Sequence, residues 1–138
     1  KYITGFMEHL VHFCDENAST AALEPFVAGL KAASKDLQAA VMYFMQNGIK
    51  TPQNTLAGSS DFLHLLGHIC IGLMWGEMAK AACAALDTGT TDRAFYETKL
   101  VTGQYYMARQ LPATALHLAR ITSGGDTVMA LDAEAFSG

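Results

Sequence analysis

The sequence predicts an all-α domain, an up-and-down bundle of about four helices whose last helix is kinked. Three observations carry this expectation. Apolar residues recur three and four apart along most of the chain, residues 62–86 are apolar on every side, and no apolar–polar alternation of strand period appears. No internal repeat, low-complexity tract or linker divides the chain, so one domain spanning 1–138 accounts for it.

The central stretch orders the rest. Its first fifteen residues, 62–76, hold no formal charge beyond what His64 and His68 acquire, and Phe62, Leu63, Leu65, Leu66, Ile69, Cys70, Ile71, Leu73, Met74, Trp75 and Met78 point in all directions around a helix. A helix of that kind is surrounded by protein or by lipid. A membrane span takes about 20 predominantly apolar residues. This run is interrupted by His and Gly and cut off by Glu77 and Lys80, so protein is the expected surrounding and no membrane partner is predicted.

Before it, Ile3, Met7, Leu10 and Cys14, widened by Phe6 and Phe13, form one face of a first helix. Residues 15–20 are polar and read as a connection. Pro25 is tolerated in the first turn of a second helix, where its missing N–H has no intrahelical partner anyway. Leu23, Phe26, Leu30, Ala33, Leu37, Ala40 and Phe44 then alternate three and four apart, with Lys31, Lys35, Asp36 and Gln38 off the seam. This is bundle packing written in sequence. Asn47-Gly48 reads as a left-handed C-terminal cap, and 49–60, with Pro52, Asn54, Gly58, Ser59 and Ser60, as a loop of contact-making length.

Asp61 is placed to cap the central helix, with Thr55 an earlier candidate, and Asp87-Thr88-Gly89 ends it. The short turn that follows returns the next helix antiparallel. Thr91 caps that helix, Asp92 suits its positive end, and Arg93 with Glu97 adds an i,i+4 pair. Phe95, Tyr96, Leu100, Met107, Leu111, Ala115 and Leu118 mark its buried side, while Lys99, Gln104, Arg109 and Arg120 mark others. Pro112 inside the pattern removes a hydrogen bond and crowds the Ala108 carbonyl, at ~3 kcal/mol in a continuous helix, so a kink or break belongs there. Ser123-Gly124-Gly125 terminates the helix. Asp132, with Leu131 and Phe136 as a hydrophobic staple, predicts one docked turn in the tail.

Composition narrows the function classes. A hydrophobic share of 51% with only 16% charged residues leaves apolar surface for a partner, and a net charge of −4 without basic clusters gives no footprint for nucleic acid. Cys14, Cys70 and Cys83 lie on apolar helical stretches, are odd in number and form no C-x-x-C, and so read as reduced core thiols of a cytosolic protein. The opening Lys1 reads as a cut inside a longer polypeptide.

His64 and His68 with Asp61 share a helical face that can offer three ligands to zinc, but Leu65 follows the first His, so the H-E-x-x-H general base is missing and structural histidines fit better. Glu8, His9, His12 and Glu16 read as a solvated helix face. No Glu-x-x-His supports a di-iron centre, Ser59 and Ser60 lack the G-x-S-x-G elbow, and Gly124-Gly125 follows a helix instead of opening one. Trp75, Tyr96, Tyr105 and Tyr106 fit core and interface better than a cofactor stack. No catalytic, cofactor-binding or metal residue is assigned.

From Phe95 onward, the succession Phe95-Tyr96, Lys99-Leu100, Thr102, Tyr105-Tyr106, Arg109, Leu111-Pro112, Met129-Ala130-Leu131-Asp132 and Phe136 resembles the C-terminal helical extension of bacterial FAD-dependent acyl-CoA dehydrogenases. Residues 62–85 look like that family's core helix, and the earlier helices follow in order. The resemblance implies a parent enzyme of fatty acid metabolism that abstracts an α-proton from an acyl-CoA thioester, passes a β-hydride to FAD and delivers electrons to an electron-transfer flavoprotein. Flavin and catalytic carboxylate belong to domains N-terminal to this extension, so the extension itself holds no cofactor. Its implied role is an accessory and oligomerisation domain that packs on the catalytic domains. The alternative is a free-standing helical module that binds a small apolar ligand or a partner protein, as Met-rich and aromatic interiors do. The first helix, with Tyr2, Phe6, Met7, Leu10 and Phe13 over a wide arc, predicts a homodimer formed through it and the Pro112 kink.

Overall fold

The computed structural model describes residues 2–138. Five α-helices follow in order, α1 (Tyr2–Asn17), α2 (Glu24–Asn47), α3 (Pro52–Asp87), α4 (Arg93–Arg109) and α5 (Ala113–Thr122), with single 3-10 turns at Ala21–Leu23 and Ala133–Phe136. There is no strand among the described residues. The architecture is the all-α bundle the periodicity predicts, with the fourth helix broken into α4 and α5.

Helix α3 is the longest element, 36 residues and about 54 Å at 1.5 Å per residue. Helices α2, α4 and α5 pack along it, and α1 packs chiefly on α2. The α2 seam is buried from Leu23 to Ala40, with Phe44 partly buried beside it. Leu65, Ile69 and Leu73 of α3 complete the core with Leu10 and Phe13 of α1, Met107 of α4, and Leu111 and Ile121.

The break at Pro112 follows from its missing donor and its ring. Helix α4 stops at Arg109, where the Gln110 and Leu111 amides both donate to the Tyr106 carbonyl at 2.9 Å, and α5 restarts after Pro112. Gly89 and Gly124 adopt φ of +75°, the left-handed turns that end α3 and α5.

Several expectations are corrected. Residues 49–60 are not a loop. Pro52 occupies the first turn of α3, which runs unbroken through Gly58, so Thr51 is the N-cap residue and Thr55 and Asp61 lie inside the helix. Gly58 stays helical because it packs there, with Phe44 and Ile121 both 3.3 Å from where a Cβ would stand. Gly48 keeps a right-handed φ of −59°. Asn47 serves the turn through its side chain, donating to the Tyr43 carbonyl at 2.9 Å and accepting from Asn54 at 3.1 Å. Asp92, not Thr91, is the N-cap residue of α4, and the Thr90 hydroxyl accepts from the Asp92 amide.

Burial also departs from expectation. The arc of α1 is narrower than it reads, because Leu10 and Phe13 are buried within the bundle and Ile3, Phe6 and Met7 pack against it. Phe95 and Ala115, expected inside, are exposed, since α4 overhangs the bundle at its start and α5 turns after Pro112. In the tail Asp132 accepts from the Ala135 amide at 3.1 Å as expected, but Leu131 and Phe136 remain exposed and staple nothing.

Close packing on glycine yields a test. A Cβ on Gly103 would stand 2.6 Å from Phe26 Cε1 and 3.2 Å from Trp75 Cε3, and the Phe26 ring is fully buried with no room to yield. Overpacking of ~1–3 kcal/mol should exceed the ~1 kcal/mol that alanine gains over glycine in a helix. Urea unfolding of Gly103→Ala should therefore show a loss of about 1–2 kcal/mol. Gly67→Ala, with nothing within 4 Å of its Cβ, should gain about 0.5–1 kcal/mol. Shifts of the same sign would refute this packing.

Candidate functional site

Helix α3 buries only one side. Gly58, Leu65, Ile69, Gly72, Leu73, Gly76, Ala79 and Ala82 face the bundle. On the other side Leu56, Leu63, Ile71, Met74 and Met78 are 73%, 69%, 46%, 63% and 39% exposed, with Gly67 and Cys70 between them. At 3.6 residues per turn these positions fall within roughly 100° of arc. The expectation of burial on every side is thus wrong in one respect: the apolar residues do run all round, but 28% of the most apolar stretch is covered. By length and composition α3 is the one helix among the described residues that could cross a membrane. Its other face, however, is packed into the bundle.

A histidine stack borders the uncovered face. The His117 ring of α5 lies beside both His64 and His68 of α3, with centroids at 5.4 and 5.5 Å and planes within 27° of parallel. His64 Nδ1 donates to the Ser60 carbonyl and His117 Nδ1 pairs with Asp61 Oδ1, both at 2.8 Å. Arg120 Nη1 stands 3.8 Å from the same carboxylate oxygen, and the Tyr106 hydroxyl donates to the His68 carbonyl at 2.6 Å. Asp61 therefore anchors α5 instead of capping α3. Sequence spacing linked His64, His68 and Asp61 but gave no hint of His117, which only the fold brings within reach.

The arrangement has little to offer as chemistry. The Nδ1 atoms of His64 and His117 are engaged separately, and among the described residues no group of three His, Cys, Asp or Glu is disposed to hold a metal. Ser59 donates to the Leu56 carbonyl, and the His64 Nδ1 contact is to Ser60's backbone, so no serine is paired with a base through its hydroxyl. Burial pushes the Cys14 thiol up, with Lys31 opposing and Asp15 adding to the shift, which leaves a poor nucleophile. His12 lies 3.6 Å from Glu16, and His9 3.9 Å from Glu77, on exposed helix surface. Among the open surface grooves, one of about 250 Å³ lies beside Leu10, Cys14, Lys31 and Ser34, and one of about 180 Å³ beside Gly29, Met107 and Pro112. The first also carries Asp15 and Lys35, but its Cys14 thiol donates to the Val27 carbonyl at 3.8 Å and is pushed up by burial.

Comparison with known proteins places the chain beside a family and a curated relative. The family model described as "Acetyl-CoA dehydrogenase C-terminal like" matches residues 6–132. The chain is 31% identical over 132 residues to a broad-specificity linear acyl-CoA dehydrogenase, FadE5, of Mycobacterium tuberculosis. The match covers 90% of this chain and 22% of the relative, so the chain spans about a fifth of that protein's length.

The stack makes stability pH-dependent in a stated direction. His68 titrates below its ordinary value of 6.5, because burial disfavours its charged form and His117 and His64 oppose a further charge. Below that value the unfolded chain binds more protons at this site than the folded one. Stability at this site is therefore full above the ordinary value and is lost as the pH falls below it through the lower folded value. Urea unfolding across this range should show a shallower loss for His68→Asn than for the native chain. Superimposable pH slopes would remove His68 from the linkage.

Proposed function

Because the chain belongs to the acetyl-CoA dehydrogenase C-terminal-like family, we propose that it is the C-terminal accessory domain of an FAD-dependent acyl-CoA dehydrogenase. The match over residues 6–132 carries this reading. In it, the domain packs on the catalytic domains of its own enzyme and supports a homo-oligomer, the whole resident in the cytoplasm, with an electron-transfer flavoprotein as electron acceptor. FAD supplies the hydride acceptor for desaturation of the thioester's acyl chain.

The residues of this chain do not fit a flavin site. No glycine-rich turn opens a helix toward a pyrophosphate, and the Gly125 amide, the nearest approach to one, is taken by Asn54 Oδ1 at 2.8 Å. Asp36, half-buried beside the 180 Å³ groove, accepts from the Thr114 hydroxyl at 2.8 Å and so serves to hold α5. What this chain contributes is therefore shape and surface. The alternative, a free-standing module for a small apolar ligand, loses support because side chains fill the space between the helices and the grooves open to solvent.

Purified alone, the chain should show no flavin absorbance and turn over no acyl-CoA. The full-length enzyme that contains this sequence should hold FAD and reduce an electron acceptor when given an acyl-CoA. Equimolar FAD recovered with the isolated chain would overturn the assignment of flavin to other domains.

A further inference from the structure

We infer that the uncovered face of α3, centred on Leu63, Gly67, Ile71 and Met74, is the surface by which this domain docks onto the catalytic part of its own polypeptide. The inference rests on the accessory-domain reading above. Three kinds of occupant compete for such a face: lipid, a second copy, and the rest of the same chain.

Charge argues against lipid. A helix that lies on a bilayer sets Lys and Arg on its polar side. The only basic side chain of α3 is Lys80, and it is bound to Glu16 at 3.1 Å.

Area decides between the other two. Five aliphatic side chains, each partly exposed, offer on the order of 200–350 Å² by the area equivalent of their transfer free energies. That is less than half of the ~800 Å² per partner at which stable association between separate molecules becomes common. Matched by an equal area on the other side, it reaches the lower end of the ~600–1,500 Å² of interfaces within one chain. A tethered neighbour also meets the face at an effective concentration near the millimolar range, whereas a second copy must be recruited from dilute solution. In the relative the matched region is 22% of the length, which leaves such a neighbour in the same polypeptide.

The face is also built to receive a packed partner. No charged side chain interrupts it between Asp61 and Glu77, so burying it strands no unpaired ion. Gly67, with open space where its Cβ would stand, leaves a shallow saddle between Leu63 and Ile71 into which a ridge of another helix fits.

Cys70 lies on this face and is exposed, while Cys14 is buried and Cys83 half-buried, so maleimide labelling of Cys70 reads its coverage directly. In the full-length enzyme the labelling rate should be lower than in the isolated chain by about tenfold or more, since thiol reactivity depends on access. Sedimentation of the isolated chain should be unchanged by Leu63→Asp. Leu63→Asp with Ile71→Asp, at exposed positions, should leave its helical circular dichroism unchanged and restore fast Cys70 labelling in the full-length enzyme.

Equal Cys70 rates in the isolated chain and in an FAD-loaded, active enzyme would overturn the face assignment and leave the accessory reading standing. A dimer of the isolated chain that protects Cys70 and is split by Leu63→Asp would hand the face to a second copy. Co-sedimentation with phosphatidylcholine–phosphatidylglycerol vesicles, lost in Leu63→Asp, would hand it to lipid. A full-length protein unable to bind FAD would instead strike the accessory-domain reading itself.

Discussion

The bundle depends on how closely large side chains approach one face of α3. Between Leu65, Ile69 and Leu73 that face carries Gly58, Gly72, Gly76, Ala79 and Ala82, so side chains from several other helices reach the α3 backbone. Leu30 of α2 and Leu111 stand 3.3 and 3.2 Å from the Cβ position of Gly72, and Phe13 of α1 closes to 2.8 Å at Gly76. Phe44 and Ile121 do the same at Gly58. Each glycine in a helix interior costs about 0.5–1 kcal/mol relative to alanine. Full burial of a Leu or Phe side chain returns ~1.5–3 kcal/mol, so the exchange favours the seam wherever one glycine admits a whole side chain.

The break at Pro112 depends on the same seam. A straight continuation of α4 would carry residues 113–122 past the bundle. After the break they lie against α2 and α3, where Thr114 donates to Asp36, His117 reaches Asp61, and Ile121 fills the space over Gly58. The Gly125 amide then donates to Asn54 at 2.8 Å, tying the end of α5 to the first turns of α3. One proline thus turns a single amphipathic run into two helices with different neighbours. The polar contacts that secure α5 are all made to residues on α2 and α3, far away in sequence.

What was legible in the sequence was periodicity, and what was not was partnership. The seam from Leu23 to Ala40 is buried as its spacing says, and Pro112 breaks the helix for the backbone reason that predicts it. The start of α3 was misread because Pro52, Asn54, Gly58, Ser59 and Ser60 each favour a turn when considered singly. Tertiary contacts override that preference: Asn54 bridges Asn47 and Gly125, and Gly58 packs under Phe44. Asp61 carries the sequence signature of a cap, yet its function is set by His117, 56 residues away. The family was legible through spaced single residues, and the matched model agrees with it. Those residues state no chemistry of their own.

An excess of apolar residues over charged ones can arise in two ways, as a larger core or as a face awaiting cover. The two differ in where the surplus sits. Here the core is closed by Leu, Ile and Phe side chains that α1, α2 and α5 already cover, and Met42, Met45, Leu56, Leu63, Ile71 and Met74 lie outside it. A helix that needed only to fill the bundle would carry its apolar residues on one stripe and charges opposite. In α3 both sides are apolar: inward, Leu65, Ile69 and Leu73 alternate with Gly58, Gly72, Gly76, Ala79 and Ala82 where backbones must come close, while outward Leu56, Leu63, Ile71, Met74 and Met78 stand in solvent. Leaving large aliphatic side chains in water forfeits the burial energy that small ones never had to give. The outward side therefore has the composition of an interior as well. Such a helix is completed on two fronts, once by its own bundle and once by whatever the outward side meets.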